Sequence, residues 1–330
     1  KEENEMKLKK IKRMVAVGTA ILMTLSLAGC GIGSDSVKLG AAGVGGGYYA
    51  FSNAFAQIAS SEDEDLDFEV KATAGSTANI RLLSDGYVDM AIAQADLVDA
   101  AYNGTGATDK KRYRGYSAVA SLYTEACQIV VRSDSGIDSL DDLQGKKISV
   151  GEEESGTQRN AEQILKMTGL VESLVDTVNL DYVDAANELK SGQIDAFFCT
   201  AGIQTSVIEE LSKECDVKLI GIDDKCRDRL KSVYGFYTDY TIPAGTYEGQ
   251  TQDVVTLGVR AVLLARDDMD EKIVEELTGL LFEHAQDIQY SIALTFQIDE
   301  SEAVKNVTIP FHDGAKAYYQ KKGIEIPAEQ

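Results

Sequence analysis

The chain has 330 residues, of which 44% are hydrophobic, so it is long enough to bury a sizeable core and to form about two domains. A formal net charge of -22 argues against nucleic acid as a partner, because a phosphate backbone attracts basic surfaces and repels acidic ones. Three prolines and no tryptophan argue against a disordered or proline-rich chain.

The N-terminal segment is typical of an export signal. A cluster of lysines with Arg13 precedes an apolar run over residues 14–27, which is too short to span a membrane comfortably as a permanent helix. Met6 is a candidate for the true start of translation. An uncleaved anchor helix is the alternative interpretation, and both interpretations place the body of the protein outside the cytoplasmic membrane.

The apolar run ends in the sequence LAGC at residues 27–30, which resembles the lipobox of bacterial lipoproteins. In lipoproteins the peptide before the cysteine is removed and the thiol carries a diacylglycerol. The resemblance therefore implies a signal peptide over residues 1–29, and a lipid anchor and linker over residues 30–36. We expect an extracytoplasmic protein that is held at the cell membrane through Cys30.

A glycine-rich turn follows the linker and a short apolar run. Residues 43–49 read GVGGGYY and open a segment of helical pattern. A strand, a glycine turn and a helix in this order leave free backbone N–H groups at the positive end of a helix dipole. Such a turn can seat a small carboxylate or phosphate beside the two tyrosines, whereas the alternative is a tight turn with two core tyrosines.

Two more polar turns follow predicted strands in this part of the chain. Ser76 follows a strand predicted over residues 66–72 and is a candidate N-cap of the next helix. Gln94 and Asp96 follow a strand predicted over residues 88–93. Because open α/β sheets bind ligands at the carboxyl ends of their parallel strands, we expect these side chains to converge there.

The same pattern returns in the middle of the chain, after an apolar strand predicted over residues 127–132. Ser155, Gly156 and Thr157 form a second turn of glycine and hydroxyl residues that leads into a helix. Two such turns that face each other would hold a ligand from both sides. Near the C-terminus, Asp313 is the predicted cap of the last helix.

Four cysteines remain once Cys30 is assigned to lipid, and four cysteines allow three disulfide connectivities. We predict a bond between Cys215 and Cys226, because they are close in sequence and flank a strand-like segment. Cys127 and Cys199 lie in apolar strand-like runs, so we predict that they are buried thiols. No cysteine has the spacing of a metal site, and we predict no metal and no cofactor.

The histidines and the glycine turn also bear on catalysis. His284 and His312 are the two histidines, and neither has a serine elbow or a paired acid beside it, so we predict that both are structural. The glycine turn is similar to a dinucleotide fingerprint, but Tyr48 occupies the place of the third glycine. We therefore predict that the protein is not an enzyme.

Taken in chain order, the motifs resemble those of the TAXI-type solute receptors of tripartite (TRAP) carboxylate transporters. The motifs that carry the resemblance are GVGGGYY at 43–49, GS at 75–76 with Asn79, AQAD at 93–96, SGT at 155–157, GQIDAFF at 192–198 and IPFHDGA at 309–315. Two departures are Gly47, where such receptors commonly have a small residue or threonine, and Ala74, where glycine or serine is usual.

The resemblance implies a class II periplasmic-binding-protein fold, in which two α/β lobes are joined by a hinge. We place residues 37–127 and 240–330 in lobe 1 and residues 128–239 in lobe 2. The implied function is capture of a small carboxylate or amino acid such as glutamate, by a monomer that delivers it to a sodium-driven TRAP membrane permease. A sensory lipoprotein without a permease partner is the alternative, and an exported enzyme is a further one.

The residues predicted to bind the ligand come from both lobes and from the hinge. For the ligand carboxylate we predict Gly45, Gly46, Tyr48 and Ser76, and for its polar or ammonium end Asn79, Gln94 and Asp96. From the second lobe we predict Ser155, Thr157 and Gln158, and from the hinge Tyr237.

Overall fold

The computed structural model describes residues 36–106, 110–171, 173–292 and 298–327. The predicted signal peptide and the predicted lipidation site Cys30 lie outside these residues. The described strands are β1 Val37–Gly40, β2 Phe68–Lys71, β3 Met90–Gln94, β4 Tyr116–Arg132, β5 Lys147–Ser149, β6 Asp176–Val178, β7 Ala196–Ala201, β8 Val217–Leu219, β9 Thr238–Ile242 and β10 Val254–Arg266.

The helices alternate with the strands along most of the chain, and a short 3-10 helix at Leu140–Leu143 precedes β5. The described α-helices are α1 Gly47–Glu62, α2 Ser76–Ser84, α3 Ala95–Asn103, α4 Gly156–Thr168, α5 Tyr182–Ser191, α6 Ser206–Glu214, α7 Asp224–Val233, α8 Glu271–Glu283, α9 Ala285–Ser291 and α10 Asp313–Lys322. No helix in the described ranges combines the length and the hydropathy needed to cross a bilayer.

The strands form one sheet with the order β2-β1-β3-β10-β4-β7-β5-β6, in which β8 also pairs with β4 and β9 with β10. At one end β1 pairs in parallel with β2 and β3, and at the other β5 pairs in parallel with β6 and β7. The long strands β4 and β10 lie between these groups and pair antiparallel with their neighbours. Two parallel α/β units are therefore joined through a central antiparallel pair.

Each unit has its own hydrophobic core. The first core contains residues of β1, β3, α1 to α3 and α8 to α10, and we call these elements the first half. Two adjoining clusters contain residues of β5, β7 and α4 to α7. We call these elements, together with β6 and β8, the second half. Strand β4 enters the first core near Tyr123 and the second near Cys127, and almost all of its residues are buried because both of its faces are covered.

The carboxyl ends of the parallel strands point toward the region between the halves. Strand β3 ends at Gln94 and α3 begins at the next residue, while β5 ends at Ser149 and a six-residue turn leads to α4. The glycine turn at residues 43–46 connects β1 to α1 in the same way. The polar turns predicted from the sequence therefore lie at strand ends, as expected.

Two predicted helix caps were wrong. Helix α2 begins at Ser76, but its N-cap is Gly75, and the Ser76 hydroxyl instead accepts a hydrogen bond from the backbone N–H of Gln94 at 3.1 Å. Helix α10 begins at Asp313, but its N-cap is His312, whose Nδ1 accepts from the backbone N–H of Gly314 at 3.2 Å. In both helices the cap lies one residue before the predicted one. The Ser76 hydroxyl and the Asp313 carboxylate, which were predicted to cap, have other partners.

Candidate functional site

A cavity lies between the two halves and has an empty volume of about 470 Å³, including the part that is open to solvent. The first half and β4 line it with residues of two turns, the starts of two helices and two strands, namely Ala42, Gly43, Gly46, Gly47, Tyr48, Ala74, Gly75, Ser76, Gln94 and Glu125. The second half lines it with Glu152, Ser155, Gly156, Thr157, Asp181, Tyr182 and Thr200. The glycine turn and the SGT turn therefore face the same space.

The glycine turn allows the two halves to approach closely. Gly45 has a φ of +85°, a conformation that favours glycine, and the backbone N–H of Gly46 donates to the carbonyl oxygen of Gly43 at 3.2 Å. A Cβ at Gly46 would lie 3.0 Å from the ring of Tyr182, so the absence of a side chain lets that ring pack against the turn. Helix α1 then begins at Gly47, and the N–H groups of its first turn have no partner within the helix.

Gln94 lines the cavity with a side-chain amide whose oxygen has no hydrogen-bond partner. The residue is 2% exposed, its Nε2 donates to Asn160 Oδ1 at 3.0 Å, and its Oε1 accepts no hydrogen bond. A Cβ at Gly156 would lie 2.5 Å from the Gln94 side chain. The glycine at the start of α4 is therefore the residue that leaves room for the Gln94 amide.

The SGT turn is fixed by hydrogen bonds inside the second half. The Ser155 hydroxyl caps α4 by accepting from the backbone N–H of Gln158 at 2.9 Å. Thr157 Oγ1 lies 2.6 Å from the Tyr182 hydroxyl and accepts from the backbone N–H of Thr200 at 3.2 Å. The Tyr182 hydroxyl donates in turn to the carbonyl oxygen of Thr200 at 3.0 Å. These bonds hold the first turn of α4 against the cavity.

Glu125 is the buried acid of the cavity, and like Glu152, Asp181, Tyr182 and Thr200 it is a lining residue that the sequence analysis missed. It lies on β4 between the two cores, is 2% exposed, and accepts a hydrogen bond from the Tyr48 hydroxyl at 2.6 Å through Oε2. Burial raises the pKa of Glu125 to about 8, although the bonds from Tyr48 and Gln94 act in the opposite direction. Burial also raises the pKa of Tyr48, so this hydroxyl keeps its proton and acts as the donor.

Six of the eleven predicted ligand residues line the cavity, namely Gly46, Tyr48, Ser76, Gln94, Ser155 and Thr157. Gly45 is turned away, because its carbonyl oxygen accepts from the Thr205 and Ser206 hydroxyls at 2.9 and 3.2 Å. Gln158 lies in a neighbouring groove on the far side of Ser155, where its Oε1 accepts from the backbone N–H of Glu154.

The remaining three predicted ligand residues lie outside the cavity, Asn79 and Tyr237 as buried residues and Asp96 as a half-buried one. Asn79 donates through Nδ2 to the carbonyl oxygens of Gly40, Ala41 and Ile92, and so ties α2 to β1 and β3. The Tyr237 hydroxyl bonds to Asn160 and Gln163 on α4. Asp96 does not line the cavity, and burial raises its pKa to about 6.

The four cysteines in the described ranges are free thiols, so the predicted bond between Cys215 and Cys226 is not formed. Cys226 is buried on α7 in the core with α4, whereas Cys215 packs at the end of α6 against a different cluster. The two thiols are near in sequence but belong to different packing layers. Cys127 and Cys199 are buried, as predicted.

The matched segment for the NMT1-like family is residues 39–323, nearly the whole described chain. The chain belongs to the NMT1-like family. Solved structures of the same fold include a protein of Bordetella bronchiseptica RB50, with 16% identity over 87% of this chain and 98% of that one and a TM-score of 0.57. Another is MatC from Rhodopseudomonas palustris with bound malate, with 14% identity over 81% of this chain and 91% of that one, also at 0.57.

The chain is also similar to the alkanesulfonate-binding protein SsuA from Xanthomonas axonopodis pv. citri, bound to MOPS, with 14% identity over 88% of this chain and 80% of that one and a TM-score of 0.47. The mixed α/β class II periplasmic-binding-protein fold with two lobes, predicted from the sequence, is confirmed. The TAXI type within this fold, the residue limits of the lobes and the ligand residues stay predictions.

Proposed function

We propose that this NMT1-like protein is an extracytoplasmic solute-binding protein that closes over a small carboxylate or amino acid between its halves. The observation that carries the proposal is the buried Oε1 of Gln94, which lacks a hydrogen-bond partner at the cavity wall. The first turns of α1 and α4 line the same cavity. Buried polar groups are almost always hydrogen-bonded in native proteins, so an unpaired amide in a cavity points to a bound molecule. The first-turn N–H groups of the two helices supply donors for its carboxylate.

The finer assignment is a lipid-anchored TAXI-type receptor that hands a glutamate-like ligand to a TRAP permease as a monomer. MatC supports the carboxylate class, because a protein of the same fold was solved with a bound dicarboxylate. The long strands β4 and β10 serve as the hinge, with lobe limits at about residues 127 and 240. A bulge in β4 opposite Arg260 and Val262 of β10 lies near Tyr123, between the two cores, and supplies a place for bending.

Ligand-dependent thermal stabilisation tests the proposal. At a ligand concentration of 100 Kd a single site stabilises a protein by about 2.7 kcal/mol, so we expect a matching amino acid or dicarboxylate to raise Tm by several degrees. The Gln94→Ala variant should keep the Tm of the ligand-free protein within a few degrees and need at least about fivefold more ligand for the same shift. If no C3 to C6 amino acid, oxo acid or dicarboxylate raises Tm, the proposed ligand class is wrong.

An ion pair between the halves is expected to slow the escape of the ligand. Arg81 on α2 contacts Glu154 twice, with Nε to Oε1 at 3.1 Å and Nη2 to Oε2 at 2.7 Å. Both side chains are about two-fifths exposed, so the pair is worth at most about 1 kcal/mol, and Arg81→Met should raise the dissociation rate about two- to fivefold. Stopped-flow fluorescence with the ligand identified by thermal shift measures this rate.

The matched control for the ion pair is Lys190→Met. Lys190 pairs with Glu214 at 2.7 Å, and both residues belong to the second half, so this pair does not join the halves. The control should leave the dissociation rate unchanged. Equal rates in Arg81→Met and the wild type would mean that the pair does not hold the closed state.

A further inference from the structure

The side chains around the cavity that titrate as acids have no basic counterpart. Its carboxyl-bearing lining residues are Glu125, Glu152 and Asp181, and no lysine, arginine or histidine in the described ranges lines it. A ligand that carries only negative charge would meet these carboxylates with no side-chain cation to balance them. The cavity therefore suits a ligand whose carboxylate lies at the helix N-termini and whose other polar group is positive.

Glu125 is placed to receive that positive group. The residue is 2% exposed and lines the cavity from the strand that joins the halves, and its carboxyl accepts a hydrogen bond from the Tyr48 hydroxyl at 2.6 Å. Gln94, which also lines the cavity, lowers the pKa of the same carboxyl and so favours its charged form. Glu152 and Asp181 belong to the second half, and Asp181 is exposed and already caps α5.

We propose that Glu125 is the counter-ion of an ammonium group on the ligand and selects amino acids over the matching oxo acids and dicarboxylates. This inference rests on the proposed function and adds the residue that sets its specificity. Tyr48 acts as a positioning residue, because it orients the carboxyl through its hydrogen bond. The free carboxylate of the ligand lies at the first turns of α1 and α4.

Binding by this route releases a proton. In the ligand-free protein Glu125 is mostly neutral below pH 8, because burial raises its pKa to about 8. An ammonium group beside it favours the carboxylate, so the proton leaves to solvent while the ligand keeps its own charge. At pH 7 we expect about one proton released for each amino acid bound, and none for an oxo acid.

The neighbouring titratable groups do not mimic this signal. Burial raises the pKa of the phenols of Tyr48, Tyr123 and Tyr182 and of the thiols of Cys127 and Cys199, so these groups are neutral at pH 7. Asp96 on α3 raises the pKa of Glu125 by its charge, and Glu152 has a raised pKa of its own because of burial. If the Glu125→Gln variant binds the amino acid without releasing a proton, the proton released by the wild type comes from Glu125.

The test is isothermal titration calorimetry of the exported chain with three matched pairs, namely alanine and pyruvate, glutamate and 2-oxoglutarate, and leucine and 4-methyl-2-oxopentanoate. Titrations at pH 7 in two buffers of different ionisation enthalpy count the protons. We expect the best amino acid to bind at least 10-fold more tightly than its oxo acid and to release a proton. In Glu125→Gln its affinity should fall at least 10-fold, the proton release should vanish, and the oxo acid should bind as well as or better than before.

A second variant covers the case in which Glu125→Gln does not fold. Tyr48→Phe removes the hydroxyl that favours the charged carboxyl, so we expect amino-acid affinity to fall severalfold at pH 7 and to recover as the pH rises toward 9. An oxo acid that binds more tightly than its amino acid, or amino-acid binding without proton release in the wild type, overturns this inference and leaves the proposed function standing. Failure of all six compounds to bind contradicts the proposed function and this inference with it.

Discussion

Replacing Gly156 by alanine is expected to weaken ligand binding roughly 10- to 100-fold, the range expected from losing one hydrogen bond to a charged group. A Cβ at this position would lie 2.5 Å from the side-chain amide carbon of Gln94 and 2.6 Å from its nitrogen. Gln94 is almost fully buried, so its amide can make room only by moving into the cavity or by giving up its bond to Asn160. Either movement removes the ligand contact that we propose for its Oε1.

Calorimetry with the ligand identified by thermal shift measures the effect of Gly156→Ala, and a melting curve of the ligand-free variant checks that it is folded. Crowding at a packed position costs about 1–3 kcal/mol, so we expect a lower Tm with the cooperative transition retained. Gly235→Ala is the matched control, because a Cβ there meets nothing within 4 Å. If Gly156→Ala binds the ligand within threefold of the wild-type affinity, Gln94 does not contact the ligand.

The local features of the site could be predicted from the sequence because they depend on short stretches of chain. A strand followed by glycines and a helix is a pattern of consecutive residues, and it correctly placed Gly46 and Thr157 at one cavity. The same reasoning also predicted Asn79 at the ligand, whereas in the structure its side chain donates to three backbone carbonyl oxygens. A polar side chain after a turn satisfies the backbone as readily as a ligand, and only the packing of α2 on the sheet decides between them.

Glu125 could not be assigned to the site from local pattern, because its place depends on β4 running through both cores. The sequence did hold a signal, since a single acid stands among apolar strand residues between Tyr123 and Cys127. A charged residue is rarely fully buried without a partner, so an acid within such a run indicates a functional position. The predicted disulfide between Cys215 and Cys226 was wrong for a related reason. Nearness in sequence says little about which layer of the fold a residue packs into.

The stability of the ligand-free protein should depend on pH through Glu125. Its pKa is raised from the ordinary value of 4.5 to about 8, so between these values the folded state holds a proton that the unfolded chain has lost. Stability therefore falls as the pH rises through this window, by up to about 1.4 kcal/mol per pH unit, and the loss is complete above pH 8. The side-chain amide introduced by Glu125→Gln does not titrate, so the variant lacks this loss.

The difference in unfolding free energy between Glu125→Gln and the wild type should therefore increase steadily from pH 5 to pH 8 and stay level from pH 8 to pH 9. Urea unfolding at one-unit intervals measures it, and Asp96 cancels because it is present in both proteins. In the control variant Glu214→Gln the difference should be constant over this range, because Lys190 lowers the pKa of Glu214 and places its titration below pH 5. A constant difference for Glu125→Gln as well would mean that Glu125 is already ionised in the folded, ligand-free protein, and the cavity would then hold a fixed negative charge before any ligand enters.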